Sequence, residues 1–124
     1  MSTKSYQEFV RSTSGAFSSL NQEQGRIAAA ALGLVGEAGE TSEVIKKYLF
    51  HGHDLPKEKI EKELGDVLWY VTELCNALDI TLESVMEKNI EKLSKRYGGE
   101  WSAQKSIDRV DVLDGQTLLF EEHT

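Results

Sequence analysis

The chain has one cysteine and one proline in 124 residues. A lone thiol, Cys75, cannot close an internal disulfide, which points to a reducing, cytoplasmic compartment. Nowhere do ~18 apolar residues run together, so the sequence offers no candidate for a membrane-spanning helix. No apolar signal segment follows Met1-Ser2-Thr3-Lys4-Ser5. Basic residues are also scarce: 14 Lys and Arg stand against 21 Asp and Glu, for a net charge of -7. That balance argues against a nucleic-acid polymer as the main partner, because such binding is driven by cations that neutralise phosphates. It leaves room for a small phosphorylated ligand held by a local patch or by metal ions. A glycine-rich phosphate loop, a serine nucleophile elbow and an EF-hand loop are all missing. His51 and His53 have no Cys or third His at zinc spacing, so they read as loop residues.

What is present is helical patterning. With 40% hydrophobic residues the length suits one packed domain. Residues 4–14 read as a first helix. Asn21 and Gln24 fit a capping box for a second helix that runs to Phe50. Its apolar stripe is Ile27, Ala31, Leu34, Ala38, Ile45 and Leu49. Pro56 suits the first turn of a third helix, whose stripe is Ile60, Leu64, Val67, Leu68, Val71, Leu74, Cys75 and Leu78. Asp79 or Thr81 can cap a fourth, which carries Leu82, Val85, Met86, Ile90, Leu93 and Tyr97 inward and ends at Gly98-Gly99. The expectation is an all-α, four-helix domain over residues 1–100. Residues 101–124 form a tail, in which Asp114-Gly115 between β-prone runs signals a small hairpin from Val110 to Phe120. A loose tail ordered by a partner subunit is the alternative.

The carboxylates share a pattern. In the second helix Glu37 borders the stripe and Glu40 lies about 60° further round; Glu63 and Asp66 repeat this in the third, since three residues turn ~300°. If the two helices pack antiparallel, the four acids converge at the edge of the core. Their mutual repulsion would become binding in the presence of divalent cations, and hard oxygen ligands suit Mg²⁺ or Mn²⁺ over zinc. An exposed acidic helix face is the plainer reading. Glu43, Glu61 and Glu73 lie off the stripes and read as solvated. Gly33, Gly36 and Gly39 in mid-helix imply either a close neighbour or tight helix packing, since each is ~1 kcal/mol worse than alanine there.

The fourth helix places Asn89 within its stripe, with Lys92 and Arg96 along nearly the same line. Such a row can neutralise phosphate opposite a metal; a core Asn with two surface bases is the alternative. Lys47 shares the phase of Glu40 and can also reach phosphate. Trp69, opposite its helix's stripe, needs a second surface: the first helix, a partner subunit or a stacked base. Cys75 reads as a buried packing residue.

Three blocks in order carry a resemblance: Gly33-Leu34-Val35-Gly36-Glu37-Ala38-Gly39-Glu40, then Glu63-Leu64-Gly65-Asp66-Val67-Leu68-Trp69-Tyr70, then Asn89-Ile90-Glu91-Lys92-Leu93-Ser94-Lys95-Arg96-Tyr97. Over residues 25–98 the chain resembles the MazG-like nucleotide pyrophosphohydrolases. It departs from them at Gly36, where the family usually has a further acid, and at Gly98, where proline is frequent. The resemblance implies an all-α homodimer or homotetramer that cleaves nucleoside triphosphates between the α and β phosphates with Mg²⁺, Mn²⁺ being a possible substitute. It implies Glu37, Glu40, Glu63 and Asp66 as metal ligands, with Glu37 or Glu40 activating water. Asn89, Lys92 and Arg96 would contact the ligand. The rival readings are a phosphoribosyl-ATP pyrophosphatase-like enzyme and a non-catalytic helical module that kept the metal site.

Overall fold

A computed structural model describes residues 1–15 and 22–113. The chain divides into two compact units, Met1–Leu82 and a second that begins at Glu83. The first unit holds α1 (Thr3–Thr13), α2 (Gln22–Phe50) and α3 (Lys57–Ala77). α4 (Leu82–Tyr97) opens at the boundary, and α5 (Ala103–Asp108) and α6 (Val110–Leu113) follow in the second unit. Among the described residues there is no strand. Val110–Leu113 is a helical turn where the hairpin reading placed a strand. The Asp114-Gly115 turn and the rest of that reading lie outside the described residues, as does Asn21 of the expected capping box.

Local signals set most of the helix ends. Ser2 caps α1, its hydroxyl accepting from the Ser5 amide at 3.1 Å. Pro56 sits just before α3, as its fixed φ and missing N–H favour. Gly98 and Gly99, at φ of 60° and 93°, end α4 as the sequence indicates.

α2 packs on α3 through a different face from the one expected. Ala30 and Val44 are buried, Gly33 lies against the Tyr70 ring, and Arg26 reaches Glu73. This line, Arg26-Ala30-Gly33-Glu37-Val44, is one residue out of phase with the predicted stripe, or about 100° round the helix. Ala31, Ala38 and Leu49 of that stripe are exposed. The physical reason is that α2 is apolar almost all round near its middle, so periodicity admits two faces. Small residues at 30 and 33 let the aromatic side of α3 approach on one of them. The other face keeps Leu32 and Val35 at 75% and 72% exposure. Leu64, Leu68 and Leu78 of α3 are exposed too.

α1 covers an adjacent side of α3. The Trp69 indole N–H donates to the Thr13 hydroxyl at 3.0 Å, so the first helix is the second surface this tryptophan needed. Gln7, buried on α1, donates to the Ile80 carbonyl at 2.9 Å and accepts from the Leu82 amide at 3.2 Å. Asn76 donates to the Gln7 carbonyl at 3.1 Å. Cys75 is buried as expected, and burial pushes its thiol pKa up. Glu73 is not solvated: it is 3% exposed, and its Oε1 accepts from Arg26 Nε and Nη2 at 3.1 and 3.0 Å and from Ser14 at 2.8 Å. The periodicity missed it because α3 is covered by α1 as well as α2.

Candidate metal centre

Glu37 follows Gly33 by one turn on the α3-facing line of α2. Glu63 and Asp66 lie one turn apart on α3. The packing brings one carboxylate oxygen from each of Glu37, Glu63 and Asp66 within 4.8 Å of one another. Glu40 stands outside this trio but acts on it, its negative charge raising the Glu37 pKa. Glu37 Oε2 is buried and has no hydrogen-bond partner among the described residues. Burial, and then the charges of Glu40, Asp66 and Glu63, raise the Glu37 pKa above its ordinary 4.5. Tyr6 of α1 also belongs to this neighbourhood, since burial and the charge of Asp66 raise its pKa. A cavity of 290 Å³ opens beside the acids, lined by Glu37, Asp66, Trp69 and Tyr70.

These residues fit a divalent cation. The donors are all hard oxygens, as Mg²⁺ and Mn²⁺ prefer. The orphaned Glu37 oxygen is the kind of buried acceptor that needs a cation or donor beside it. Carboxylates this close repel until such a charge arrives.

The raised Glu37 pKa carries a sign. Between 4.5 and its raised value the folded chain binds more protons than the unfolded chain. Stability therefore falls as pH rises through that window. We expect the metal-free melting temperature to drop across that window, and Glu37→Gln to flatten the step. Melting curves against pH in chelator check this; an unchanged step in the variant would assign it to other groups.

The remaining sequence-derived positions are elsewhere. Lys47 makes a 3.9 Å contact to Glu43, which also pairs with Lys46 at 2.8 Å. Asn89 and Lys92 are exposed on α4 in the second unit; Asn89 is therefore not the buried amide its place in the stripe suggested. It lines a 330 Å³ groove with Leu93, Tyr97 and Trp101. Arg96 is 13% exposed and grips Asp111, 4% exposed, through two hydrogen bonds of 2.6 and 2.7 Å. The pairing holds the Asp111 carboxyl down at about 2. Arg96 thus has a structural partner within its own unit. Arg96→Lys, which loses the two-pronged donor, is expected to lower the melting temperature of the second unit. Thermal unfolding followed by Trp101 fluorescence checks it, and no change would leave the pair without weight in the fold.

Sequence reasoning missed Tyr6, Tyr70 and the Arg26–Glu73 pair. Tyr70 had a usable signal, standing one helical turn beyond Asp66 and so on the same face.

The helical fold and the three-carboxylate cluster define a class, and comparison with known proteins agrees. The MazG nucleotide pyrophosphohydrolase domain matches residues 26–99, and the chain belongs to that family. It is 42% identical over 69 residues to the Gene 37 protein of Mycobacterium phage L5, a match covering 52% of this chain and 60% of the phage protein. It is 34% identical over 74 residues to the uncharacterized protein YvdC of Bacillus subtilis strain 168, covering 52% and 69%. The match thus spans less than two thirds of the phage relative's length. No solved structure matches significantly.

Proposed function

We propose that the chain is a Mg²⁺-dependent nucleoside triphosphate pyrophosphohydrolase, cleaving between the α and β phosphates to give a nucleoside monophosphate and pyrophosphate. The observation that carries this reading is the convergence of Glu37, Glu63 and Asp66 with one buried oxygen left unpaired. Those three residues, with Glu40 beside them, would hold the metal; Mn²⁺ is an acceptable substitute on the same donor chemistry. When bound, the cation supplies charge neutralisation on the phosphates and makes a nearby water easier to deprotonate. Glu37 or Glu40 would orient that water and take its proton. Lys47 is assigned to the substrate, where a cation offsets charge on the departing pyrophosphate; the resemblance alone assigns Asn89, Lys92 and Arg96 to the ligand.

The test is a panel of NTPs, dNTPs and phosphoribosyl-ATP with Mg²⁺ or Mn²⁺, with products separated by chromatography. Pyrophosphate plus a monophosphate is the expected result. Phosphoribosyl-ATP as sole substrate would favour the rival pyrophosphatase, and no turnover of anything would favour a non-catalytic module.

The reading includes a homodimer or homotetramer. Leu32 and Val35 share a face of α2 with Gly36 and Gly39, next to which an added Cβ would meet nothing within 4 Å. An apolar strip with room for close approach suits a second helix, and two-fold pairing is the commonest solution. Light scattering at micromolar concentration should give at least a dimer, and Val35→Glu should split it. A monomeric wild-type chain would refute the assembly.

A further inference from the structure

We infer that the cavity beside Glu73 is a pyrimidine nucleobase site. The inference rests on the nucleotide reading above and names its substrate class. Its starting point is an anomaly. Glu73 is 3% exposed, and among the described residues Oε1 accepts three hydrogen bonds while the buried Oε2 accepts none. Buried carboxylate oxygens are costly to leave unpaired, so this one suits a donor carried by a ligand. Glu73 lines a cavity of 140 Å³ together with Arg26, Ala30, Trp69 and Tyr70. Trp69 and Tyr70, edge to face at 5.0 Å, also line the cavity beside Glu37 and Asp66. The two spaces thus adjoin the same aromatic pair.

Along α3, Asp66 and Glu73 are seven residues apart, or ~10 Å of helix rise on about the same face. A nucleoside and its first phosphate span such a separation. Aromatic walls suit a flat ring, since any base has a face to stack. Size then selects the ring. A cavity of about 150 Å³ takes benzene, so 140 Å³ suits one six-membered ring and is small for a fused purine. Chemistry selects its edge. The free carboxylate oxygen accepts, as from the amino group of cytosine or the ring N–H of uracil or thymine. The Arg26 guanidinium has donors beyond those used on Glu73, and they suit a pyrimidine carbonyl or ring nitrogen.

The experiment titrates nucleoside monophosphates into the chain, read by Trp69 fluorescence in a Trp101→Phe background and by calorimetry on the wild type. CMP, UMP and dTMP separate the two edges; AMP, GMP and ribose 5-phosphate are the counter-ligands. At least one pyrimidine is expected to bind ~10-fold or more tightly than either purine. N4,N4-dimethyl-CMP or N3-methyl-UMP, which lack the donor, should lose that advantage. Glu73→Gln, which places an amide donor where the acceptor was, should weaken the pyrimidine by ~10- to 100-fold, with folding checked by its melting curve.

Equal binding of purines, indifference to the methyl groups, or no binding of any monophosphate would each overturn the assignment. So would a folded Glu73→Gln that keeps the wild-type preference. The binding assay needs neither metal nor turnover. Pyrimidine discrimination without hydrolysis of the triphosphate would therefore refute the hydrolase reading and leave the base site standing.

Discussion

Asp66→Asn and Glu37→Gln are each expected to lower turnover of the preferred triphosphate by ~100-fold or more, while the helices fold and the metal-free chain becomes harder to melt. The activity loss follows from donor chemistry. An amide keeps the shape of the carboxyl but removes the charge that a hard divalent cation requires, and metal-assisted catalysis draws several kcal/mol from that cation. The gain in metal-free stability follows from the same geometry read without the cation. Glu37, Glu63 and Asp66 place oxygens within 4.8 Å of one another, and the negative neighbours of Glu37 already raise its pKa. Removing one charge relieves that repulsion. Opposite signs for activity and stability are the usual trade at a built site. Steady-state kinetics and melting curves in chelator give both numbers. Near-normal turnover in both variants would remove these residues from the site, and a fall in metal-free stability would make them struts.

Gly33→Ala carries the second large expectation. In an open helix position this change would stabilise by ~1 kcal/mol. Gly33 is not open: a Cβ there would overlap the Tyr70 ring. That ring is itself held edge to face on Trp69, whose indole is tied to Thr13, so it cannot simply swing aside. Forcing extra volume into such a contact costs ~1–3 kcal/mol, which outweighs the helix gain. We therefore expect Gly33→Ala to destabilise α2–α3 packing and to blunt activity, because Tyr70 lines the cavity beside Glu37 and Asp66. The same methyl at Gly36 or Gly39 meets nothing within 4 Å. A double-mutant cycle isolates the cause. In a Tyr70→Leu background Gly33→Ala should be neutral or stabilising, and an undiminished penalty there would show that the ring is not what the methyl meets.

The helices themselves were legible, because caps, proline and paired glycines are local signals. α1 through α4 begin and end within a residue or so of the sequence reading. Three of the four carboxylates meet as their helical spacing suggests, while Glu40 of the Glu-x-x-Glu pair stands outside the cluster. The facing side of α2 was not legible. With alanine at 28 through 31 and Leu32, Leu34 and Val35 close behind, its pattern fits two faces, and only the partner helix chooses between them. Glu73 was misread for the same reason, since nothing local announces that α1 will cover the outer side of α3. Arg96 shows a limit of another kind. Its phase beside Asn89 and Lys92 suggested phosphate, while its partner Asp111 lies in a segment read as strand. A pairing fifteen residues distant across a turn leaves no periodic trace.

The Gln7 side chain ties the first helix to the start of the fourth. Its amide bonds both the Ile80 carbonyl and the Leu82 N–H, while the Gln7 backbone carbonyl accepts from the Asn76 side chain. Detaching α1 therefore strips two hydrogen bonds from the α3–α4 turn and one from the end of α3 in one event. The amide proton of Leu82 becomes a reporter: its exchange with deuterium should track the lifting of α1, even though it sits seventy-five residues away along the chain. Gln7→Ala should let that proton exchange freely and carry the turn with it, so that the chain's first helix and the junction leading into its second unit open as one cooperative segment.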